Sequence, residues 1–162
     1  MANIFGDEMM ELEELFADDK SNMRNQHIEF AKRDYGKLKQ LGYVRTPSEL
    51  KLNQYFWVDM PFYMNPRIQV IEIEKDMEIR MLTHPNGLWT YGVSVYHGNR
   101  GWSFLPGIFT EIYRTENDAR DTAINSLIKF IQMDKKTEKL VEKLKKRLTG
   151  NLQLDLFAGL AF

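Results

Sequence analysis

Residues 77–96 of the chain read MEIRMLTHPNGLWTYGVSVY. Met77 to Thr83 and Leu88 to Tyr96 are rich in β-branched, aromatic and long apolar side chains, a composition that favours strands. Between them, His84-Pro85-Asn86-Gly87 contains the Asn-Gly pair that is typical of a tight hairpin turn. A connection this short can join only antiparallel strands. The stretch therefore predicts an antiparallel hairpin at the centre of the fold.

Further short strands are predicted on both sides of this hairpin. Arg67 to Glu74 alternates between apolar and polar side chains, and Trp102 to Leu105 follows a glycine-rich turn. Ile108 to Tyr113 is a candidate for a fifth, short strand. Because all of these connections are too short for parallel crossovers, residues 54–114 are predicted to form an antiparallel β-meander of about four to five strands.

Two helical regions precede the predicted sheet. Residues 1–20 form an N-terminal helical segment in which Asp7 is placed to cap the helix. Residues 21–53 contain further helices, the longer of which has Ser21 as its predicted cap. Residues 61–66 begin and end with proline and are predicted to be a loop.

Helices also follow the sheet, over residues 115–149. Thr115 is placed to cap a long helix, because Asp118 stands at the capping-box position. We expect this helix to lie across one face of the sheet, since its apolar residues recur at helical spacing. Its predicted buried face consists of Ala119, Ala123, Ile124, Leu127, Ile128 and Ile131. The predicted architecture is one α+β domain over residues 1–150, followed by a C-terminal tail over residues 151–162.

The composition is that of an ordinary globular protein, with 43% hydrophobic and 28% charged residues among 162. The chain has no cysteine, which excludes disulfides, cysteine-based zinc sites and cysteine nucleophiles. Its net charge of −1 gives no global attraction for DNA or an anionic membrane, so nucleic-acid binding requires a local patch. The first residues lack the features of a secretory signal, and no apolar run is long enough to span a bilayer. We expect a soluble, cytoplasmic protein without a membrane partner.

No catalytic constellation is evident in the sequence. The three histidines, His27, His84 and His97, lack the spacing of a metal site, and the chain has no phosphate-cradling loop. His84 and His97 fall in turns and are interpreted as polar surface residues. We therefore predict a protein that is not an enzyme, with no catalytic residue, no metal and no cofactor.

Paired carboxylates on the first strand offer the less favoured enzymatic alternative. Glu72 and Glu74 are two residues apart and should share one face of the strand, where they could hold magnesium as in nucleases. Because Ile71 and Ile73 point the other way, a solvated strand face is the simpler interpretation. A small metal-dependent nuclease is kept as an alternative.

The last predicted helix, Lys135 to Leu148, is basic and amphipathic. Leu140, Val141, Leu144 and Leu148 form its apolar stripe. Cations near a helix C-terminus are favoured by the helix dipole, which gives them a purely structural interpretation. The alternative is contact with the phosphates of nucleic acid. The candidate nucleic-acid-binding residues are Lys135, Lys136, Lys139, Lys143, Lys146 and Arg147.

Aromatic residues of a sheet can also stack on bases, as in RNA-recognition sheets. The candidates are Trp89, Tyr91, Tyr96, Trp102 and Phe104. Trp89 and Tyr91, however, share a strand face with Val93 and Val95. That face is therefore predicted to be the core beneath the long helix rather than a binding surface.

The tail contains the sequence Gln153-Leu154-Asp155-Leu156-Phe157, close after Gly150 and within ten residues of the C-terminus. All five positions resemble the Gln-Leu-(Ser/Asp)-Leu-Phe peptide with which bacterial polymerases, mismatch-repair proteins and initiation regulators bind the DNA polymerase sliding clamp. The resemblance implies that Gln153 is the polar anchor, that Leu154 bridges and that Asp155 lies at the rim. Leu156 and Phe157 would then fill an apolar cleft of the clamp.

This resemblance implies a non-enzymatic accessory protein of bacterial or mobile-element DNA replication or repair. Such a protein would dock on the sliding clamp by its tail and touch DNA with its basic helix. The alternative is a protein-interaction or inhibitor module of phage or mobile-element type. In that case Ala158 to Phe162, which prolong the apolar run, would make the tail a packed structural segment.

Overall fold

A computed structural model describes residues 4–149 of the chain. The fold is α+β, with helices before and after a four-stranded antiparallel sheet. Two compact units divide the chain. Among the described residues, the first consists of residues 4–67 together with His84–Asn86, and the second consists of Ile68–Thr83 together with residues 87–149.

The first unit is helical. Its helices are α1 at Ile4–Glu14, α2 at Arg24–Gln40 and α3 at Met60–Met64, with 3-10 turns at Pro47–Glu49 and Asn65–Arg67. The capping predictions for α1 and α2 are wrong, because Asp7 lies inside the first turn of α1 and α2 begins after Ser21. The Ser21 hydroxyl donates instead to Asp19, at 2.7 Å. That bond directs the Ser21 side chain away from the helix end.

Helix α3 replaces part of the loop predicted for residues 61–66. The side chain of Asp59 accepts a hydrogen bond from the backbone N–H of Phe62 at 3.4 Å, which caps the helix. Pro61 stands in the first turn, where its missing N–H costs nothing. The signal was therefore present in the sequence as an Asp cap followed by an N-terminal proline.

The second unit contains the whole sheet. Its strands are β1 at Ile68–Glu74, β2 at Met77–Thr83, β3 at Trp89–His97 and β4 at Arg100–Phe104, in the order β1-β2-β3-β4 with every pair antiparallel. The predicted meander is confirmed. The fifth strand predicted over residues 108–113 does not form: Tyr113 makes only an isolated bridge to Trp89, and Thr110 closes a turn with Gly107.

Helix α4, at Glu116–Ile131, packs on one face of the sheet, over β2 and β3. The Thr115 hydroxyl accepts from the backbone N–H of Asp118 at 3.1 Å, which confirms the predicted cap. All six residues of the predicted apolar face are buried: Ala119, Ala123, Ile124, Leu127, Ile128 and Ile131. Trp89 and Tyr91 pack against the same core. Each fully buried Leu or Ile stabilises the unit by about 1.5–3 kcal/mol.

The last helix is shorter than predicted. Helix α5 covers Glu138–Lys145 rather than residues 135–148. Residues 132–137 connect it to α4, and within them Lys136 adopts a left-handed backbone conformation with φ of +65°, which a right-handed α-helix does not accommodate. Within residues 4–149, no helix is sufficiently long and apolar to cross a membrane.

Candidate functional site

The basic surface of α5 is fixed in place by the apolar side of the same helix. Val141 and Leu144 are buried in the core of the second unit, and Leu140 and Leu148 pack against that core. The opposite side of the helix therefore faces solvent. Lys139, Lys143 and Lys146 recur there at helical spacing and are exposed.

The six candidate nucleic-acid-binding residues divide into two groups. Arg147 reaches back to β1, where its Nη2 lies 3.6 Å from Oε1 of Glu74. The five others have no acidic partner within 4.0 Å in the part of the chain that the structure describes: Lys135, Lys136, Lys139, Lys143 and Lys146. Their charges are available to an external anion, whereas that of Arg147 links α5 to β1.

Lys135 and Lys136 lie in the connection before α5. Asp134, the residue that precedes them, accepts a hydrogen bond from Nη2 of Arg100 on β4 at 2.7 Å. His97 Nε2 lies 3.7 Å from the other oxygen of Asp134. The start of the connection is thus fastened to the β3–β4 hairpin, and the two lysines that follow are exposed.

The carboxylates considered for a magnesium site do not share a face. The register of β1 on β2 shifts between Glu72 and Glu74, so Glu72 is opposite Glu78 while Glu74 is opposite Met77. Met77 belongs to the core beneath the helices, and Glu74 contacts Arg147 on that side. A β-bulge, which sequence alternation does not show, makes the predicted pairing of these two residues wrong. Among residues 4–149, no three His, Cys, Asp or Glu side chains are grouped to hold a metal ion.

His84 is buried, with 2% of its surface exposed, so its interpretation as a surface residue is wrong. Its Nδ1 lies 2.7 Å from the hydroxyl of Tyr43, and the two rings meet edge to face. Burial, with a smaller contribution from the charge of Arg67, lowers the pKa of His84 to about 4. Burial also raises the pKa of Tyr43 to about 12, so both groups are neutral near pH 7. The pair is a structural hydrogen bond of the first unit.

A second buried histidine of the first unit, His27, forms a pair with Asp19. Their Nδ1 and Oδ2 atoms are 2.6 Å apart, and the other oxygen of Asp19 accepts from the backbone and hydroxyl of Ser21. Burial raises the pKa of Asp19, but the hydrogen bonds from His27 and Ser21 outweigh burial and hold it below its usual value. The only sequence signal was a histidine eight residues after an aspartate, which no secondary-structure pattern singles out.

Residues Gln153 to Phe157, the five predicted protein-binding residues, lie outside the described residues. The last described residue, Thr149, is held firmly. Its backbone N–H and its hydroxyl both donate to Oδ1 of Asp121 on α4, at 2.9 and 2.8 Å. The chain is therefore fastened to the second unit four residues before Gln153.

The chain matches no protein-family model, no curated protein and no solved structure. Two features remain from which a function can be argued. One is the five-residue likeness of the tail to the clamp-binding peptide, and the other is the exposed basic side of α5.

Proposed function

We propose that this is a non-enzymatic accessory protein of bacterial or mobile-element DNA replication or repair, which docks on the DNA polymerase sliding clamp. The observation that carries the proposal is the match of Gln153-Leu154-Asp155-Leu156-Phe157 at all five positions of the clamp-binding peptide. With ordinary residue frequencies, such a fit somewhere in a chain of this length arises by chance on the order of one time in a thousand.

The anchoring of Thr149 supports the proposal. A connection of four residues spans at most about 14 Å, so a clamp bound at Gln153 is held close to the second unit. Lys146 precedes Gln153 by only a few residues. Because a sliding clamp encircles DNA, docking by the tail brings the basic side of α5 towards the duplex.

The lysines without partners support contact with phosphates. Each of Lys139, Lys143 and Lys146 is exposed and has no carboxylate oxygen within 4.0 Å of its ammonium group among the described residues. A cation that replaces condensed counterions at a phosphate strengthens binding at low salt and weakens it at high salt. The proposed DNA contact is thus auxiliary: it adds a salt-dependent contribution to docking that the tail directs.

The proposal is tested by replacing the two apolar residues of the motif, Leu156→Ala with Phe157→Ala, in the full chain. Each residue corresponds to a binding hot spot of about 2 kcal/mol or more, so we expect affinity for purified bacterial sliding clamp to fall at least about 100-fold. Surface plasmon resonance measures the change. The matched control, Leu160→Ala with Phe162→Ala, removes equally apolar residues outside the motif and should change the affinity less than about threefold.

The same variants separate docking from a packed tail. If the tail is a structural segment of an interaction or inhibitor module, Leu156→Ala with Phe157→Ala lowers the melting temperature by several degrees, because buried side chains are lost. The docking proposal expects the melting temperature to stay within about one degree. Clamp affinity that is unchanged in the double variant would contradict the proposal.

A further inference from the structure

Five aromatic rings form a continuous row in the second unit. Successive ring centroids are 5.9 Å apart from Tyr113 to Tyr91, 5.7 Å from Tyr91 to Phe104, 5.2 Å from Phe104 to Trp102 and 5.9 Å from Trp102 to Phe130. The last two rings are nearly parallel, at 18°. The spacing is that of rings in direct contact. Four of the rings are half-buried against the core, and they hold in place the fifth, Trp102, which is exposed.

The sheet register places this row at the border of the core. Trp102 is opposite Val95 and Phe104 is opposite Val93, and both valines are buried beneath α4. Helix α4, however, packs over β2 and β3, while β4 extends beyond it as the edge strand. Trp102 therefore lies on the helix-covered side of the sheet and still exposes 38% of its surface.

A basic side chain, that of Arg100, lies at the Phe130 end of the row of rings. The guanidinium carbon of Arg100 lies 5.0 Å from the centroid of the Phe130 ring, and its Nη2 binds Asp134 at 2.7 Å. Asp134 largely offsets the charge of Arg100, but Lys135 and Lys136 follow it directly. Neither lysine has a carboxylate oxygen within 4.0 Å of its ammonium group in residues 4–149. Both line a groove in which the acidic Asp134, Glu138 and Glu142 are matched by these two lysines and Lys145, whereas a groove lined only by acidic charges would repel phosphate. The bond between Arg100 and Asp134 thus ties the start of the connection that carries the two lysines to β4, the strand that carries the exposed indole of Trp102.

We propose that this surface binds single-stranded nucleic acid, with a base stacked on Trp102 and the neighbouring phosphates at Lys135 and Lys136. Proteins that bind single strands without sequence preference combine an aromatic platform with cations along the backbone path, and both are present here. The inference deepens the nucleic-acid part of the proposed function and does not depend on the clamp-binding motif.

The charges around a second exposed aromatic residue show why Trp102 is singled out. Tyr96 is more exposed than Trp102, at 60%, and lies at the opposite side of the sheet. It lines a groove with the acidic residues Glu72, Asp76 and Glu78. Those carboxylates repel phosphate, so exposure of an aromatic ring alone does not make a site. Tyr96 is therefore the matched control for Trp102.

The experiment is fluorescence anisotropy of a labelled oligo(dT) of about 20 nucleotides, titrated with the full chain at low salt. Trp102→Ala should weaken binding about 10-fold or more, and Trp102→Phe, which keeps a ring, should recover most of the affinity. Tyr96→Ala should change the affinity less than about twofold. The Trp102→Phe variant also shows whether a loss reflects stacking or loss of the fold. Binding by Trp102→Ala at wild-type strength would overturn the proposal.

Intrinsic fluorescence gives a second readout, because base stacking quenches an indole. Oligo(dT) should quench the wild-type signal, and the quenching should disappear in Trp102→Phe while Trp57 and Trp89 remain. Replacing Lys135 and Lys136 together by Ala should reduce the slope of log affinity against log salt by about 1.4.

Two outcomes separate this inference from the proposed function. A chain that binds duplex DNA as tightly as oligo(dT) overturns the stacking site and leaves phosphate contact by α5 standing. A chain that binds the clamp but no single strand likewise overturns only the present inference. Oligo(dT) binding that survives Leu156→Ala with Phe157→Ala supports a site separate from the docking peptide.

Discussion

The two compact units differ in the kinds of side chain that they bury. Among the described residues, every buried aspartate and histidine belongs to the first unit: Asp19, His27, Asp34 and His84. In the second unit the buried polar residues are the hydroxyl-bearing Thr90 and Thr137, and the core beneath α4 is aliphatic. The first unit therefore depends on specific hydrogen-bonded pairs and on pH. The second depends on apolar packing, and its acidic and basic residues within the described ranges are exposed or half-buried.

The largest effect is expected from the apolar core of the second unit. Leu127 is fully buried in the middle of α4, so Leu127→Ala removes its packing and leaves a cavity. We expect the free energy of unfolding to fall by about 4 kcal/mol. Urea unfolding followed by circular dichroism measures the loss. Lys129→Ala, two residues away and exposed, is the control and should change stability by less than about 0.5 kcal/mol.

The next largest effect is a loss of stability at low pH, which we expect from the buried His84 of the first unit. The pKa of His84 is about 4 in the folded chain and 6.5 when unperturbed, so the unfolded state binds more protons between these values. Stability is therefore full above pH 6.5 and falls by about 3 kcal/mol as the pH drops to 4. The lowered pKa of Asp19 acts only below its ordinary value of 3.8, outside this window. Urea midpoints measured across this pH range test the prediction.

A matched variant tests whether His84 causes the pH dependence of stability. His84→Asn keeps a polar atom near the position of Nδ1 for the Tyr43 hydroxyl but has no titrating group. It should abolish the decline in stability between pH 6.5 and 4 and leave the opposite trend expected from Asp34, whose pKa burial raises. An equally steep decline in this variant would assign the pH dependence to another group.

The parts of the fold that could be predicted from the sequence are those with a periodic pattern of apolar residues. The buried face of α4 and the pairing of β2 with β3 follow from repeats of 3.6 and 2 residues, which a single sequence displays. The bulge between Glu72 and Glu74 interrupts the repeat without any change in composition. The contact of His84 with Tyr43 joins residues far apart in the chain, and no local pattern encodes such a contact.

The candidate site likewise contains residues that a periodic pattern predicts and residues that it does not. The lysines of α5 were found because the apolar stripe that opposes them has helical spacing. Trp102 was among the aromatic residues considered for base stacking, but the sequence did not show which of them is exposed, because that depends on where α4 lies across the sheet. The ion pair of Arg147 with Glu74 could not be predicted either, because Glu74 lies after the bulge of β1.

A smaller effect is expected from the buried pair of the first unit. Asp19→Ala leaves the ring N–H of His27 and the donors of Ser21 without an acceptor, at a cost of about 2 kcal/mol. Asp19→Asn retains one acceptor oxygen and should cost about half as much. Urea unfolding of both variants tests this. Equal losses would show that negative charge, rather than hydrogen bonding, is what the pair contributes.

The smallest loss of stability is expected in the second unit, from hydrogen bonds at the first residues of its helices. Thr115 and Thr137 both precede helices as N-cap residues, but only the Thr115 hydroxyl accepts a cap hydrogen bond, from Asp118. Thr115→Ala should therefore cost about 1 kcal/mol, and Thr137→Ala only a few tenths. Thermal unfolding resolves the two, because about 1 kcal/mol corresponds to a shift of several degrees in a unit of this size. Since the two residues are chemically identical, a difference between the variants isolates the bond itself, and equal losses would mean that backbone preference rather than capping stabilises α4.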